Sequence, residues 1–174
     1  TTLFRSFQVN RALYHLDALL EKSFSYSQFY GEHGLMLNMY YSSEVAMLCS
    51  DLFYDMGHIK ESLHWAYEAQ TKSAFAPDVL KRIAIGNIIT GEYKSAQKFL
   101  KILSKSIIYR KWALYYMEYL NNENLIRQDK EIIDKRDLSP KIDFYSNIKN
   151  PRYDLYRLFK ENSGNKMAFE YFIM

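Results

Sequence analysis

Two stretches decide the fold: residues 55–69, DMGHIKESLHWAYEA, and residues 89–103, ITGEYKSAQKFLKIL. They come into line when Gly57 is set against Gly91, 34 residues later. A self-similar period of about 34 residues is the length of a two-helix repeat unit. Seven residues before each Gly stands a small side chain, Ser50 or Ala84, and five after it another, Ser62 or Ala96. Small residues at matched places on consecutive helices let the two backbones approach closely. Two residues after each Gly a bulky side chain, Ile59 or Tyr93, opens an apolar stripe. The stripe continues at helical spacings through Leu63, Trp65 and Ala66 in one copy, and Ala96, Phe99, Leu100 and Leu103 in the other. Each Gly is therefore predicted to end one helix at positive φ so that the next folds back antiparallel. Pro77 suits the first turn of the helix that opens the second unit, where its missing N–H is not needed.

The same period runs outward. Leu114 follows Leu80 and Met117 follows Ile83, so KWALYYMEYL (111–120) opens a third unit. Its turn has lost the Gly and offers Asn121, Asn122 and Asn124 for a left-handed cap, before a more polar helix over about 123–135. Ahead of the repeats, residues 4–22 read as one amphipathic helix through Val9, Leu13, Leu16, Leu19 and Leu20, followed by the aromatic loop SFSYSQFYGEHG (23–34). The expected organisation is a single all-α domain over 1–174, with antiparallel helix-turn-helix repeats stacked as a short right-handed superhelix. Residues 1–42 hold the N-terminal helix and aromatic loop, 43–76 the first repeat, 77–110 the second and 111–136 a degenerate third. Residues 137–151, with Ser139-Pro140 and Asn150-Pro151, form an irregular connection, and 152–174 carry the closing helices of a truncated last repeat.

Composition agrees with helices. The chain is 48% hydrophobic and 17% aromatic with only three Pro and six Gly, which excludes a disordered tail and leaves too few turn residues for a many-stranded sandwich or barrel. A net charge of +3 implies no acidic or nucleic-acid partner. A single cysteine rules out an intrachain disulfide. No apolar run approaches the roughly 20 residues needed to span a bilayer. The chain opens at Thr1 and ends in Phe172-Ile173-Met174, so the expectation is a soluble segment of a longer protein, of open localisation.

On the period, the turn Gly and the small-residue sites of residues 43–122, the chain resembles a degenerate member of the tetratricopeptide-repeat superfamily. It departs from the consensus where Cys49-Ser50 and Ile83-Ala84 replace the Leu-Gly pair. A narrower likeness rests on FSYSQFYGEHGL, GEYKSAQKFLKIL, YRKWA and NKMAFEY. These resemble an uncharacterised bacterial family of the Bacteroidetes type, in which such a region follows a membrane-embedded N-terminal part. That likeness implies a membrane-tethered parent and brings no activity.

Nothing points to catalysis. His15, His33, His58 and His64 contain no i, i+4 pair with an intervening Glu of the kind a helical zinc site uses, so no metal is expected. Cys49 falls at a helix-packing position and reads as a buried, inert thiol. Asp51, Asp55 and Glu61 read as helix-surface acids, and no phosphate loop or nucleophile elbow occurs. No catalytic residue and no cofactor is assigned. Lys94, Lys98, Lys101 and Lys105 form one stripe, read as the solvated outer face of an amphipathic helix.

Resemblance to tetratricopeptide arrays implies that the first helix of each unit lines a concave face. By register, Glu44, Met47, Asp51 and Tyr54 come from the first unit, and Lys81 and Ile85, flanked by Asp78 and Ile88, from the second. Trp112, Tyr115 and Tyr119 come from the third. Large aromatics supply much contact area for few rotatable bonds. The expected function is thus a non-enzymatic scaffold or interaction module for a peptide or partner protein, or for another copy of the chain through its C-terminal helix. The alternatives are carbohydrate binding, prompted by the Tyr and Trp content, and an accessory lid or spacer on a membrane-associated protein active elsewhere. Met47, Asp51 and Ile85 replace the polar clamp by which some relatives hold a carboxylate tail, which disfavours that ligand.

Overall fold

The computed structural model describes residues 2–28, 30–37, 42–120, 122–142, 144 and 150–174. Among these, every regular element is helical and no strand occurs. The order is α1 (Thr2–His15), α2 (Leu19–Lys22), α3 (Ser43–Asp55), α4 (Ile59–Lys72), α5 (Pro77–Ile89), α6 (Tyr93–Leu103), α7 (Arg110–Tyr119), α8 (Glu123–Gln128), α9 (Lys130–Leu138), α10 (Pro151–Glu161) and α11 (Lys166–Ile173). Two compact units divide the chain, one formed by Tyr41–Ser139 and the other by Thr1–Tyr40 with Pro140–Met174. Among the described residues no helix is long and apolar enough to cross a membrane.

The Tyr41–Ser139 unit is a stack of antiparallel helical hairpins, α3 on α4 and α5 on α6, continued by α7. Gly57 and Gly91 take φ of 76° and 82°, the left-handed turn predicted from their spacing. In each turn the residue after the Gly reaches back to a carbonyl of the finished helix: His58 N–H to Phe53, and Glu92 N–H to Asn87. The small-residue sites bring the helices together. Ser50 Oγ donates to the Ser62 carbonyl at 2.8 Å across α3 and α4, while Ala84 and Ala96 are fully buried across α5 and α6. Gly86 makes a third close approach that its position in the repeat did not announce, since a Cβ there would stand 2.7 Å from Leu63 Cδ2. Pro77 opens α5 at its first turn and Ser42 caps α3 by accepting the Val45 N–H. The core runs through Leu80, Ala84, Ile88, Leu100, Ala113 and Ile126.

Beyond α7 the regular alternation breaks. Leu120 ends α7 in the right-handed region and Asn122, with φ of −140°, caps α8 from outside. The expected left-handed Asn turn is not formed at Asn122 or Asn124, and Asn121 lies outside the described residues. The polar segment expected as one helix is two, α8 and α9, separated at Asp129, whose carboxylate accepts the Ile132 N–H to start α9.

In the other unit the segment read as one helix over 4–22 is broken at Asp17, which adopts φ of 54° between α1 and α2. Asn10, fully buried on α1, anchors the aromatic loop: it donates to the Gly34 carbonyl at 2.9 Å and accepts from Tyr26 and Gln28. Tyr14 meets Tyr171 edge-on, joining α1 to α11. Lys166 pairs with Asp17. Residues 143 and 145–149 of the expected irregular connection, and Phe29 of the aromatic loop, lie outside the described residues.

Candidate functional site

On α7, residues 112, 115, 116 and 119 repeat at helical spacing and place four aromatic rings along one face. Ring centroids stand 4.8 Å apart for Trp112 and Tyr116, 5.1 Å for Tyr115 and Tyr116, 5.2 Å for Tyr115 and Tyr119, and 5.1 Å for Tyr116 and Tyr119. Lys81 on α5 sets its ammonium 5.3 Å from the Trp112 ring and 5.4 Å from that of Tyr109. The hydroxyls form a relay in which Tyr119 donates to Asp129 at 3.1 Å and accepts from Tyr115 at 2.7 Å. Burial, together with the hydrogen bonds to Tyr115 and Asp129, raises the Tyr119 pKa well above the ordinary phenol value. Burial and the nearby Asp129 and Glu131 carboxylates push Tyr116 up to about 12.

A second cluster joins α3 and α5 to α9. Arg82 pairs with Asp51 at 2.6 Å and lays its guanidinium 3.7 Å from the Tyr54 ring centroid. Tyr54 donates to Glu131 at 2.6 Å, and Lys135 lies 4.9 Å from the same ring while donating to the Asp55 carbonyl at 3.0 Å. Burial, reinforced by Glu131, holds the Tyr54 phenol protonated far above its usual range; burial also lowers the Lys135 pKa against the pull of Asp55 and Glu131.

The Gly-turn end of the stack is thereby covered by α9. Arg136 donates to the Ile88 and Ile89 carbonyls at the C-terminal end of α5, at 3.1 and 3.0 Å, the first of which also accepts the Gly91 N–H. It also reaches Tyr93 and Glu123, both at 3.1 Å. Ser139 donates to the Gly57 carbonyl at 3.1 Å, and a Cβ on Gly57 would collide with Leu138. Only Ile132 of α9 is fully buried, so polar contacts with helix ends dominate the docking.

Comparison with family models closes the identification, for one model matches residues 1–174. The chain belongs to DUF6057, a family of unknown function. No curated protein matches it, and no solved structure does.

In this DUF6057 chain the residues expected on a shared face fall into three groups. Tyr54 and Tyr119 are buried at 5% and 4% exposure, bonded to Glu131 and to Asp129. Asp51, Lys81, Ile85, Met47 and Trp112 are half-buried: Asp51 is held by Arg82, and Ile85 and Trp112 pack on the core. Glu44 and Tyr115 are exposed, and Asp78 with them, whereas Ile88 is wholly in the core. Ser42 and the Glu44 backbone hold the Glu44 carboxyl below its usual range. Sequence reading missed Arg82, Tyr116, Asp129, Glu131, Lys135 and Arg136. Their one signal is that the polar helix after the third unit lacks a full apolar stripe and so needs polar partners. Cys49 is buried and pushed up to about 12 by burial and Glu61, which leaves it an unreactive thiol. Among the described residues no three of His, Cys, Asp and Glu converge to hold a metal.

Proposed function

We propose that the chain is a non-enzymatic interaction module of tetratricopeptide type that binds a segment of a partner protein along the strip of α3, α5 and α7 left open by α9. The observation that carries this reading is Tyr115, which is 53% exposed while Tyr116 and Tyr119 brace its ring and hydroxyl. An aromatic anchor held rigid before binding loses little entropy when a partner covers it. The repeat assignment draws support from the equivalent Gly57 and Gly91 turns and from the matched small residues at the α3/α4 and α5/α6 contacts. A membrane-tethered parent rests on the sequence resemblance alone.

Two features favour binding over catalysis. Tyr54, Tyr116 and Tyr119 are all held protonated near neutral pH, so these phenols offer neither an activated nucleophile nor a base. The rings of α7 also pack on one another, which leaves fewer free faces for sugar stacking. Self-association through the C-terminal helix has less support, because Met167, Ala168 and Tyr171 of α11 are buried in its own unit.

The test is to pan a random peptide library against the 174-residue chain and titrate the enriched peptides. Tyr115→Ala should weaken binding about tenfold or more with unchanged melting. Absence of enrichment, or peptides indifferent to Tyr115→Ala, would reject the strip.

A further inference from the structure

The end of the hairpin stack opposite the Gly turns carries a different surface. It holds the connections between successive hairpins, residues 73–76 and 104–109. In the second of these, Ile107 is 97% exposed and Ile108 80%, and Leu114 is also exposed one turn into α7. Scattered exposed aliphatics are ordinary, but two adjacent isoleucines almost wholly in water at a helix–helix turn have no packing role. The turn is nevertheless well formed. Ser104 Oγ donates to the Lys101 carbonyl at 2.9 Å, the Ser106 N–H to Leu103 at 3.0 Å and the Arg110 N–H to Ser106 at 3.0 Å. Tyr109 packs on the core behind them. The two side chains are held out by a rigid scaffold rather than trailing from a loose loop.

Charge surrounds them asymmetrically. Residues 93–117 contain six cations, Lys94, Lys98, Lys101, Lys105, Arg110 and Lys111, and no carboxylate, so the remainder of the chain is net negative although the whole is +3. All six are exposed, and among the described residues none makes an ion pair. Lys94, Lys98 and Lys101, at spacings of four and three, share one face of α6, and Lys105 follows in the turn at the tip. At the same end of the stack Glu44 and Asp78 lie on the α3 and α5 side, and Glu68 lies near the end of α4.

From this pairing of a projecting Ile107–Ile108 tip with the six cations of residues 93–117, we propose that the α6–α7 edge docks on an anionic lipid bilayer. The isoleucines enter the interface while the cations meet the headgroups. Aliphatic tips ringed by lysine are the chemistry of interfacial binding, in which apolar insertion and attraction to acidic lipids add. A duplex or single strand of nucleic acid would call for arginine and stacking aromatics rather than isoleucine. A protein groove would disfavour so many lysines, and a second copy would set like charges face to face in a two-fold contact. The proposal uses none of the residues of the peptide strip and stands or falls apart from it.

Sedimentation with phosphatidylcholine vesicles, with and without phosphatidylglycerol, tests it. The chain should bind the acidic vesicles alone and be released by salt. Ile107→Ser with Ile108→Ser should cut partitioning about tenfold or more. Lys105→Gln and Lys111→Gln should each cut it roughly fivefold, whereas Lys60→Gln, at the Gly-turn end, should not. An Ile108→Trp variant should be quenched by brominated lipid beyond the wild-type background. No binding to acidic vesicles, binding indifferent to the tip variants, or equal binding to neutral vesicles overturns the proposal. So does tighter association with an oligonucleotide, or a dimer that the double serine variant dissolves.

Discussion

The two ends of the hairpin stack are made of the same parts, helix termini joined by short turns, yet they meet their surroundings differently. At the Gly-turn end, α9 sends donors to helix-end carbonyls, Arg136 to Ile88 and Ile89, Lys135 to Asp55 and Ser139 to Gly57, and two of these, Ile88 and Gly57, also accept an N–H from their own turns. At the other end no later helix reaches in: Ser42 caps α3, Pro77 stands in a first turn, Ser43 of α3 donates to the Ala69 carbonyl of α4, and short-range hydrogen bonds close residues 101–110. A helix end satisfied from within its own turn is free to present side chains outward, and Phe75, Ile107 and Ile108 are exposed there. A helix end satisfied from elsewhere in the chain becomes a docking surface. What separates the covered end from the bare one is α9, whose Lys135, Arg136 and Ser139 side chains reach helix-end carbonyls on one side only.

The largest effect should come from the two turn glycines. Both have positive φ, but only Gly57 lies against Leu138, while nothing stands within 4 Å of a Cβ on Gly91. Gly57→Ala should therefore cost about 2–4 kcal/mol, adding overpacking to backbone strain, against about 1–2 kcal/mol for Gly91→Ala. Urea unfolding midpoints measure both, and equal losses would mean that α9 does not seat on Gly57. Next, Arg136→Met should lose about 1.5–3 kcal/mol by removing charged hydrogen bonds to buried carbonyls. Amide exchange should quicken through α9 before the rest of the unit.

Alkaline pH probes the covered end more gently. Tyr54, Tyr116 and Tyr119 have folded pKa values raised above the ordinary phenol value of 10.0, so above that pH the unfolded state gives up protons that the folded state keeps, and stability falls. Each tyrosine so held costs about 1.4 kcal/mol per pH unit. Lys135 acts oppositely: its folded pKa is lowered from 10.5, so its burial penalty shrinks as pH rises above that folded value and is gone once 10.5 is passed. Three phenols outweigh one amine, and Tyr54→Phe should reduce the downward slope by one proton. The smallest effect belongs to the bare end, where Phe75→Ser and the Ile107→Ser, Ile108→Ser pair should each leave stability within about 0.5 kcal/mol. A larger loss would show that these side chains pack after all.

Much of this architecture is legible in residue identities because its causes are local. Gly57 and Gly91 mark turns since few other residues take φ near 80°, Pro77 marks a first turn, and Ser50 with Ser62 marks a close crossing. Elsewhere the local signal is ambiguous. Leu13, Leu16, Leu19 and Leu20 keep a helical rhythm across Asp17, which breaks the helix, and the Asn run after α7 promised a left-handed cap that Asn122 does not form.

The residues of the proposed strip show the same division. Spacing placed Trp112, Tyr115 and Tyr119 on one side of a helix, because every third or fourth residue shares a side whatever surrounds it. Which of them stays open could not follow from spacing. Tyr119 is lost beneath Asp129 and Tyr54 beneath Glu131, while Tyr115 keeps half its surface. The cover is a polar helix gripping backbone carbonyls of Asp55, Gly57, Ile88 and Ile89. A carbonyl is the same atom pair in every residue, so no letter in the chain marks it as a partner. Period, turns and helix faces were therefore written in the order of residues, while the occupancy of those faces was decided only when distant segments met.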